Sequence, residues 1–502
     1  MGPGRSATPG ITSTDPRPVC ICWLRRDLRV RDNRALFAAT EYARSRNGTA
    51  LVVFVFDTDI LSALPDRDDR RVAFIAESVA QLNDRLCQAG AGLLVLHGSA
   101  RHEIPALSTR LGGVNVFASH DFEPFGTARD ESVRQKLTQS GAELATVKDH
   151  VVFEKDEILT ASKTPFRVFT PYMKAWSARL EGSPESHLPV WPSEAGLDVV
   201  APPQAWGGLR FEGVGDIGFE SPAGAQPSGG EQAGAKRLGQ FLGKISQYDE
   251  ARDFPAVDGT SRISLDLRFG TISVREVVRA ARSAVGAGAA KWLSELVWRE
   301  FYQAVLWHFP SSVDHAFQER MERVVWDDPL TESVAAGLFA AWCEGRTGYP
   351  FIDAAMRELR ATGWMHNRCR MVVASFLTKD LHIHWKRGER WFARWLLDIE
   401  LASNVGGWQW AASTGADGQP WFRIFNPVEQ GRKWDPRGTW IRTWCPELSN
   451  LDDKFVHTPW EASESVLSKA GIVLDKNWPR PIVDHATERR EALERFGKTS
   501  GR

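Results

Sequence analysis

Short apolar runs alternate with helical segments over the first third of the chain, from Val19 to about His150. Apolar residues recur at helical spacing in Arg70–Leu86 and Ala128–Thr138. Strands that alternate with helices fold as a parallel sheet, because each crossover helix covers one face of it. The pattern predicts an α/β domain over residues 18–150, a Rossmann-like doubly wound parallel sheet. Its five predicted strands are Val19–Trp23, Ala50–Phe56, Gly92–His97, Val114–Ser119 and Leu144–Val147.

Two common nucleotide-binding loops are absent from this region. No G-x-G-x-x-G follows the first predicted strand, and no G-x-x-x-x-G-K-[ST] occurs. The usual cradles for nicotinamide dinucleotides and for nucleoside triphosphates are therefore missing. A ligand of this domain would have to be held by other groups.

Composition divides the rest of the chain. Residues 1–17 are rich in Gly, Pro, Ser and Thr and have no apolar stretch, which predicts a disordered leader rather than a secretory signal. Residues 151–235 are irregular, and Val200–Gly234 is crowded with Pro and Gly, which predicts an interdomain connector. Residues 236–496 are mostly helical in pattern, which predicts a second, all-helical domain.

Charge and cysteine content exclude several classes of protein. The 62 Lys and Arg residues nearly cancel the 63 Asp and Glu residues, so a nucleic-acid site must be a local patch. No run of about 18 apolar residues occurs, which excludes a membrane-spanning helix. The six cysteines include no C-x-x-C pair, so a zinc ribbon or a disulfide framework is not expected. We expect a cytoplasmic protein, monomeric by default, with no obligate protein partner.

Tryptophan is concentrated in the second half of the chain, where 17 of the 21 residues lie between Trp292 and Trp478. Large aromatic side chains usually fill cores. In the same half, Arg357–Arg394 carries nine Lys or Arg residues against three Asp or Glu residues. Such a run is usually a solvated basic helix, but Trp364, Trp385 and Trp391 interleave with it, as in a phosphate-facing, base-stacking surface. The sequence leaves both interpretations open.

Four segments carry side chains suited to chemistry, and the first is Tyr248–Ser264, YDEARDFPAVDGTSRIS. Its last five residues, from Thr260 to Ser264, offer hydroxyl groups and backbone N–H groups near a predicted helix start, which suits phosphate oxygens. Thr and Ser are also ordinary N-cap residues, so this segment alone is a weak indication of a phosphate site.

The second segment is Glu295–Tyr302, ELVWREFY. On a helix, Glu295, Trp298 and Tyr302 share one face at positions i, i+3 and i+7. A carboxylate beside an indole suits a flat heterocycle that forms hydrogen bonds. The spacing alone favours a simpler interpretation, a core Trp and a surface Glu–Arg pair.

The third segment is Gly363–Met371, GWMHNRCRM, in which Asn367 and Met371 are one helical turn apart. Asn supplies both a donor and an acceptor, which the amide-bearing edge of a ring requires. His366 has no acidic or His partner at metal-binding spacing, and the pair His382 and His384 is expected to be packed or at the surface. No metal site is predicted.

The fourth segment is Asp398–Pro427, DIELASNVGGWQWAASTGADGQPWFRIFNP. Gly406 and Gly407 permit close approach of the backbone to a ligand. Trp408 and Trp410 would project about 200° apart on a helix, so one can face the core while the other faces a cavity. Two core tryptophans would fit the spacing equally well.

Together, these segments resemble the photolyase/cryptochrome flavoprotein family, and most closely its class I cyclobutane pyrimidine dimer photolyases. The resemblance spans roughly Cys20 to Phe496 and includes, in order, WLRRDLRVRDN, ELVWREFY, GRTGYPFIDAAMREL, GWMHNRCRM and GGWQWAASTGADGQPWFRIFNP. It implies an N-terminal α/β antenna domain and a helical domain that holds FAD in a folded, U-shaped conformation. The activity it implies is a carbon–carbon lyase reaction that repairs UV-damaged DNA.

The resemblance also implies roles for individual residues. The FAD site would be lined by Tyr248, Thr260, Ser261, Arg262, Ile263 and Ser264, and completed by Asp398, Ile399, Glu400 and Asn404. Asn404 would lie near the flavin N5, and Arg370 would pair with Asp398. The DNA side would comprise Arg252, Glu295, Trp298, Asn367, Arg368, Met371, Trp410 and Gln430. Trp408, Trp385 and Trp326 match the electron-relay tryptophans of the family.

The implied mechanism needs no hydrolytic nucleophile, which agrees with the absence of a recognisable catalytic triad motif. The lesion leaves the duplex and stacks on Trp298 and Trp410, while Glu295 and Asn367 bond to the base edges. It receives one electron from light-excited, fully reduced FAD, the cyclobutane ring opens, and the electron returns. Glu295 would stabilise the transient dimer radical anion by hydrogen bonding.

Two residues depart from the pattern of the family. Glu400 replaces the second Asp of its Asp-x-Asp, and Val405 replaces the second Asn of its Asn-Asn-Gly-Gly. Because Asn404 is retained, we expect altered tuning of the flavin rather than loss of activity.

The second chromophore, the antenna, is predicted from a shorter motif. Members of the family that bind a folate carry an Asn-Glu pair where this chain has Phe125-Gly126, in DFEPFGTARD. The E-P-aromatic-G form resembles the members that use a deazaflavin. The prediction is 8-hydroxy-5-deazaflavin, with methenyltetrahydrofolate or no antenna as alternatives.

A signalling cryptochrome and a (6-4) photolyase are the rival interpretations. A cryptochrome typically carries a long C-terminal extension, whereas the matched region here runs almost to Arg502. A (6-4) photolyase would present a His near the segment from Asn367 to Met371, where this chain has Asn. Repair of cyclobutane dimers is therefore the predicted function.

Overall fold

Five strands form one sheet in the N-terminal part of the computed structural model, which describes residues 18–203, 206 and 208–499. They are β1 Pro18–Leu24, β2 Thr49–Asp57, β3 Leu93–Gly98, β4 Asn115–Ser119 and β5 Leu144–Val147. Their order across the sheet is β3-β2-β1-β4-β5, and every neighbouring pair is parallel. All five predicted strands and the α/β class are confirmed. The predicted leader, residues 1–17, lies outside the described residues.

Both faces of the sheet are buried. Along β1, Cys20, Cys22 and Leu24 lie in one apolar cluster, whereas Ile21 and Trp23 lie in another. Successive side chains of a strand point to opposite faces, so a strand covered on both sides is apolar throughout. The helices of this domain are α1 Arg34–Ser45, α2 Thr58–Leu61, α3 Arg70–Cys87, α4 Ala100–Arg110 and α5 Pro124–Gln139.

Helix α5 begins four residues before the predicted start at Ala128. Pro124 occupies the first turn of the helix, where its missing N–H needs no partner and its fixed φ suits the helix. The E-P-F-G motif therefore forms the start of a helix, with Phe125 partly exposed and Gly126 against the carboxylate of Asp121.

The stretch 151–235 contains two helices that the sequence pattern did not predict, α6 Phe169–Gly182 and α7 Pro184–His187. Helix α6 buries Phe169, Tyr172 and Trp176 in an apolar cluster shared with the helical domain. Further along the same stretch, Val200 forms a bridge to Ala50 of β2. These contacts attach the stretch to both domains.

The remaining helices form the second domain, which confirms the prediction that it is all-helical. Their bounds are α8 Glu231–Leu242, α9 Tyr248–Ala251, α10 Ser264–Phe269, α11 Val274–Ser283, α12 Ala287–His308, α13 Ser333–Glu344, α14 Pro350–Thr362, α15 Asn367–Ser375, α16 Trp385–Trp395, α17 Leu401–Ala412, α18 Pro427–Trp434, α19 Thr439–Trp444, α20 Glu464–Ala470 and α21 His485–Thr499. A π-helical turn, Phe376–Asp380, follows α15. No helix in the described part of the chain is both long enough and apolar enough to span a membrane.

Tryptophan fills much of the helical core. The buried members of one apolar cluster include Trp342, Trp385, Trp408, Trp440 and Trp478. Eight of the 21 tryptophans are buried, so the expectation that most of them are core residues holds only for part of the set.

Buried ion pairs join the two domains where the sheet meets the helices. Asp32, after β1, contacts Arg275 and Arg279 of α11, and Asp149 contacts Arg29 and Arg275. Charged groups in a buried interface are stable only when they are paired, so these contacts fix how the sheet lies against the helical domain.

Candidate functional site

The turn from Thr260 to Ser264 presents unpaired backbone donors. Arg262 has a φ of 53°, and Ile263 follows at φ −84° and ψ 1°. A left-handed residue next to a right-handed one directs successive N–H groups towards one point, a geometry that binds anions. Within the described residues, no hydrogen bond uses the backbone N–H of Thr260, Ser261, Arg262, Ile263 or Ser264. This turn fits the phosphates of a dinucleotide cofactor such as FAD.

Asp398 connects three of the four sequence segments. Arg370 Nη2 lies 3.1 and 3.0 Å from the two carboxylate oxygens of Asp398, and Ser264 Oγ donates to Oδ2 at 2.6 Å. Arg370 is further held by its Nε donating to the carbonyl of Met365 at 2.8 Å. The pairing of Arg370 with Asp398 that the resemblance implies is present, directly beside the anion-binding turn.

Asn404 is oriented by a residue that sequence reasoning missed. Its Nδ2 donates to the carboxylate Oε1 of Glu389 at 2.8 Å and to the backbone carbonyl of Glu389 at 3.1 Å. Both side chains are buried. Because both amide protons are used, the orientation of the amide is fixed, and no described residue bonds to its oxygen. An acceptor oxygen held in this way suits an N–H group of a flavin ring.

Glu400 faces the sheet domain. Its Oε1 accepts from Arg26 Nη2 and from Arg299 Nη2, both at 2.7 Å, and Arg26 also reaches Glu123 at 3.1 Å. Burial alone would raise the pKa of Glu400, but Arg299, Arg26 and the nearby Arg268 outweigh it and lower the pKa to about 2. The longer side chain that replaces the usual Asp therefore carries an ion pair across the domain boundary.

The other predicted cofactor residues are buried or half-buried. Ile399 is half-buried between Asp398 and Glu400. Tyr248 begins α9 and is buried, and burial and the neighbouring Glu295 raise the pKa of its phenol. Val405, the second departure, is a buried residue of α17 that packs in the apolar cluster with Trp408.

We call Arg252, Asp253, Glu295, Arg368, Gln430 and Trp434 the Glu295 cluster. Arg252 forms a short ion pair with Glu295, and Asp253 accepts from Arg368 Nη2 at 2.9 Å. Arg368 lies over the ring of Trp434 at 4.6 Å, and Trp434 Nε1 donates to Gln430 Oε1 at 3.1 Å. The Glu–Arg pair favoured from the spacing of ELVWREFY is not formed, because Glu295 pairs with Arg252 of the first segment and Arg299 pairs with Glu400.

Asn367 and Met371 lie next to this cluster at the start of α15. Asn367 Nδ2 is 3.7 Å from Met371 Sδ, and Asn367 is exposed. His366 and His384 each cap the helix that follows them, His366 through Nδ1 accepting from the N–H of Arg368. His382 contacts Glu488 of α21.

Trp298 has one face covered. Its ring stacks on Phe169 of α6 with centroids 3.7 Å apart and planes 8° from parallel. Tyr302, on the same face of α12, lies 5.5 Å from Trp298. Trp408 is 2% exposed while Trp410 is half-buried, so the two indoles of α17 face different surroundings. Phe169 was not foreseen, because α6 lies in the stretch that the sequence presents as irregular.

Of the three tryptophans that the resemblance assigns to an electron relay, Trp385 and Trp326 are linked by ring contacts through His384. The indole of Trp408 lies against Gly388 of α16, and Trp385 begins the same helix. The ring of His384 lies 5.4 Å from Trp385 and 5.3 Å from Trp326. Trp408 and Trp385 are buried and Trp326 is half-buried, so the exposure of these tryptophans increases from Trp408 and Trp385 to Trp326.

The basic run Arg357–Arg394 is neither a solvated helix nor a base-stacking surface over its whole length. Trp385 is in the core, where no base can stack on it, and Lys379 is fully buried against Phe496 and Ser413. Burial lowers the pKa of Lys379 well below its ordinary value. The remaining pairs divide the run among different surfaces: Arg357–Glu447, Arg370–Asp398, Arg387–Asp328 and Arg394–Asp66.

Comparisons with known proteins agree with this arrangement. Residues 20–193 match the family model described as DNA photolyase, and residues 292–498 match the one described as FAD binding domain of DNA photolyase. A deoxyribodipyrimidine photo-lyase of Synechococcus sp. is 38% identical over 92% of this chain and 93% of its own length.

Two solved structures are similar over almost their whole length. A bacterial class III photolyase from Agrobacterium tumefaciens is 34% identical, with a TM-score of 0.84 over 98% of this chain and 100% of that chain. A cryptochrome from Synechocystis sp. is 27% identical, with a TM-score of 0.83 over 96% of this chain and 100% of that one. With 38% identity over nearly the full length and both family models in order, the chain belongs to the photolyase/cryptochrome family.

Proposed function

We propose that the protein is a photolyase that splits cyclobutane pyrimidine dimers in DNA under blue or near-UV light. The observation that carries this proposal is the Glu295 cluster, in which two carboxylates and two guanidinium groups lie beside Asn367 and Met371. The curated relatives at 36–38% identity carry the name deoxyribodipyrimidine photo-lyase, which supports the same activity.

In this proposal the Glu295 cluster recognises the lesion. Arg252 and Arg368 bind the phosphate backbone or the lesion. To do so, Arg252 must leave the carboxylate of Glu295 and Arg368 must leave that of Asp253. Asn367 supplies an amide donor and acceptor to the base edges, and Glu295 hydrogen-bonds to the dimer and stabilises its radical anion. Phe169 holds the indole of Trp298 in place, so Trp298 and Trp410 form a preorganised stacking surface for an extruded base pair.

The cofactor we propose is FAD in its fully reduced form, which supplies the single electron that opens the cyclobutane ring. The turn from Thr260 to Ser264 would bind its phosphates, and Asn404 would present its amide oxygen to the flavin N5. Tyr248, Arg370, Asp398 and Ile399 would line the remainder. Glu400 would act from the domain boundary, since its carboxylate is engaged by Arg26 and Arg299.

Trp408, Trp385 and Trp326 would carry electrons from the surface to the cofactor when it is oxidised. Aromatic neighbours at about 5 Å link each step of the outer part of the path. The order from buried to half-buried indoles supports this direction.

For the antenna we propose 8-hydroxy-5-deazaflavin in the α/β domain near Phe125 and Gly126, with methenyltetrahydrofolate as the alternative. Phe125 offers a partly exposed ring with the guanidinium of Arg101 5.6 Å from its centroid, which suits an anionic aromatic chromophore.

Class I is our proposal within the family. Its basis is the combination of Glu295, Trp298, Asn367, Met371 and Trp410, since a (6-4) photolyase would carry His near Asn367. The second candidate function is a cryptochrome-type photoreceptor without repair activity, which the similarity to the Synechocystis cryptochrome favours. We further propose that the protein acts as a monomer in the cytoplasm, as a bacterial-type enzyme that associates with the nucleoid when it binds DNA.

The decisive experiment is light-dependent reversal of a defined thymine dimer in an oligonucleotide. Reduced protein is compared under blue light, in darkness, and with a (6-4) lesion under blue light. Reversal only in light and only of the cyclobutane dimer is expected. If FAD is bound and reduced but no dimer is reversed, the repair function is rejected in favour of the cryptochrome-type photoreceptor.

A further inference from the structure

A cleft of about 350 Å³ opens beside Trp326. Trp326 and His384 line it together with the basic side chains of Lys386, Arg387 and Arg390 and two aspartates. The volume lies within the range of small-molecule sites, which is about 300–1,000 Å³. Of the residues that line this cleft, only Trp326 has a role in the proposed function.

Among the residues that the structure describes, the ion pairs at the cleft leave the guanidinium of Arg390 available. Asp328 is paired with Arg387 at 2.9 Å, and Asp327 is paired with Arg495 of α21 at 2.6 Å. Arg390 is exposed and has no ion-pair partner among the residues that the structure describes. The acidic side chains are therefore neutralised, and an anion can approach the Arg390 guanidinium.

His384 adds a hydrogen-bond donor. Its Nδ1 accepts from the backbone N–H of Lys386 at 3.1 Å, and burial lowers the pKa of the ring below its ordinary value. The neutral ring consequently carries its proton on Nε2, which makes no hydrogen bond within the described part of the chain. The cleft thus offers a free guanidinium, an imidazole N–H and the indole of Trp326.

The cleft also adjoins the outer end of the tryptophan path. The His384 ring lies 5.3 Å from Trp326 and 5.4 Å from Trp385. A molecule in the cleft can therefore contact the one relay tryptophan that is half-exposed, while Trp385 and Trp408 are buried.

We propose that this cleft binds a small anionic aromatic reductant, of the hydroquinone carboxylate or sulfonate class, which returns an electron to Trp326. The proposal rests on the electron relay of the proposed function. Arg390 and His384 bind the anionic group, and the ring of the reductant lies against Trp326. One electron passes from the hydroquinone to the Trp326 radical cation that remains after the relay has carried an electron inward. The hydroquinone becomes its one-electron-oxidised radical and releases one proton to water, and Trp326 is restored.

The first test measures binding in the dark, independently of photochemistry. The full-length protein with oxidised FAD is titrated by calorimetry with hydroquinonesulfonate and, as the uncharged probe, with hydroquinone. Saturable binding of the sulfonate is expected, and it should be weaker in Arg390→Gln by up to about fivefold, since an exposed ion pair contributes up to about 1 kcal/mol. Arg110→Gln is the matched control, because it removes the same charge from α4 of the α/β domain.

The second test measures photoreduction of the flavin under blue light against donor concentration. The rate should saturate with hydroquinonesulfonate and rise linearly with hydroquinone, and Arg390→Gln should lower only the sulfonate rate. Equal binding in Arg390→Gln and the unmodified protein, or linear dependence on both donors, overturns the proposal. If the sulfonate binds in the dark but neither donor supports photoreduction, the relay itself is wrong and the donor role is rejected with it.

Discussion

Trp408 of α17 lies directly against Gly388 of α16, and a Cβ atom added at Gly388 would overlap the indole ring. Gly388 lies inside α16 and is not among the glycines with positive φ, so its backbone conformation does not require glycine. The close approach of the Trp408 ring explains why a residue without Cβ lies at this position. The contact brings Trp408, the innermost of the tryptophans proposed as an electron relay, against the helix that begins with Trp385.

Gly388→Ala is expected to destabilise the protein by about 1–3 kcal/mol, because overpacking forces a buried ring or backbone to move. The midpoint of urea unfolding measures this. Gly337→Ala in α13 is the matched control, since an added Cβ meets no atom within 4 Å there. That variant should gain about 0.5–1 kcal/mol from helix propensity. Equal effects of the two substitutions would contradict the packing argument.

Trp326→Phe is expected to slow photoreduction of the oxidised flavin strongly, because phenylalanine is far harder to oxidise than tryptophan. Repair by protein reduced beforehand should be preserved. Flavin absorbance under blue light, with a fixed donor, gives the rate. Trp421→Phe is the control, because Trp421 packs in the same apolar cluster as Trp326 but outside the path. Unchanged photoreduction in Trp326→Phe would remove Trp326 from the relay.

Glu295→Ala is expected to lower the yield of dimer splitting per absorbed photon by about tenfold, the value of one strong hydrogen bond to a charged group. FAD content should stay unchanged, since Glu295 pairs with Arg252 and Lys291 rather than with the anion-binding turn. Glu250→Ala removes an exposed acid from nearby α9 and should leave the yield intact. Loss of FAD from the Glu295 variant would instead assign the residue a structural role.

The stability conferred by Glu400 should depend on pH. Its pKa is lowered to about 2 from an ordinary value of 4.5, so the ionised form stabilises the fold above 4.5 and this contribution is lost as the pH falls towards 2. Glu400→Gln should reduce the free energy of unfolding by roughly 3 kcal/mol at pH 7. The difference from the unmodified protein should shrink in urea titrations between pH 5 and 3. Glu131→Gln, at an exposed helical pair, should show little change; a constant deficit in Glu400→Gln would refute the assignment.

Affinity for dimer-containing DNA should fall as salt rises, because phosphate contacts release counterions. Arg368→Gln should weaken binding and reduce the slope of log K against log salt by about 1. Asp253→Asn should strengthen binding at low salt, because it removes the carboxylate that Arg368 must leave. Fluorescence anisotropy at several salt concentrations measures both. A slope that is unchanged in Arg368→Gln would exclude Arg368 from the DNA contacts.

Local patterns in the sequence predicted the sheet well, because a strand buried on both faces is a short continuous apolar run wherever it occurs. Strands β1 and β2 carry this signal most fully, whereas in the edge strand β5 only Leu144 is buried. Helix α6 carries a different signal, since its buried residues Phe169, Tyr172 and Trp176 recur at helical spacing, but the Pro and Gly around the stretch led to its interpretation as irregular. Its apolar face is explained only by the helical domain against which it packs.

Individual residues of the candidate site could be predicted only where they belong to a sequence motif. The motifs gave Arg370 and Asp398, whose pairing the structure contains, but not Glu389, which sets the orientation of Asn404 from a different helix. The partners Asp253 and Trp434 of Arg368 are likewise remote in sequence. Ion pairs of this kind leave no periodic signal, since each depends on the final packing of two elements.

The ion pair between Arg26 and Glu400 joins residues 374 positions apart and belongs to both domains. A chimera that combines this helical domain with the α/β domain of a relative would therefore need an arginine at the position of Arg26. Without it, the grafted domain would retain a carboxylate two residues from Asp398 with one of its two cationic partners removed. The two halves of this protein are accordingly not interchangeable parts, and substitutions at positions 26 and 400 should be made together when either half is exchanged.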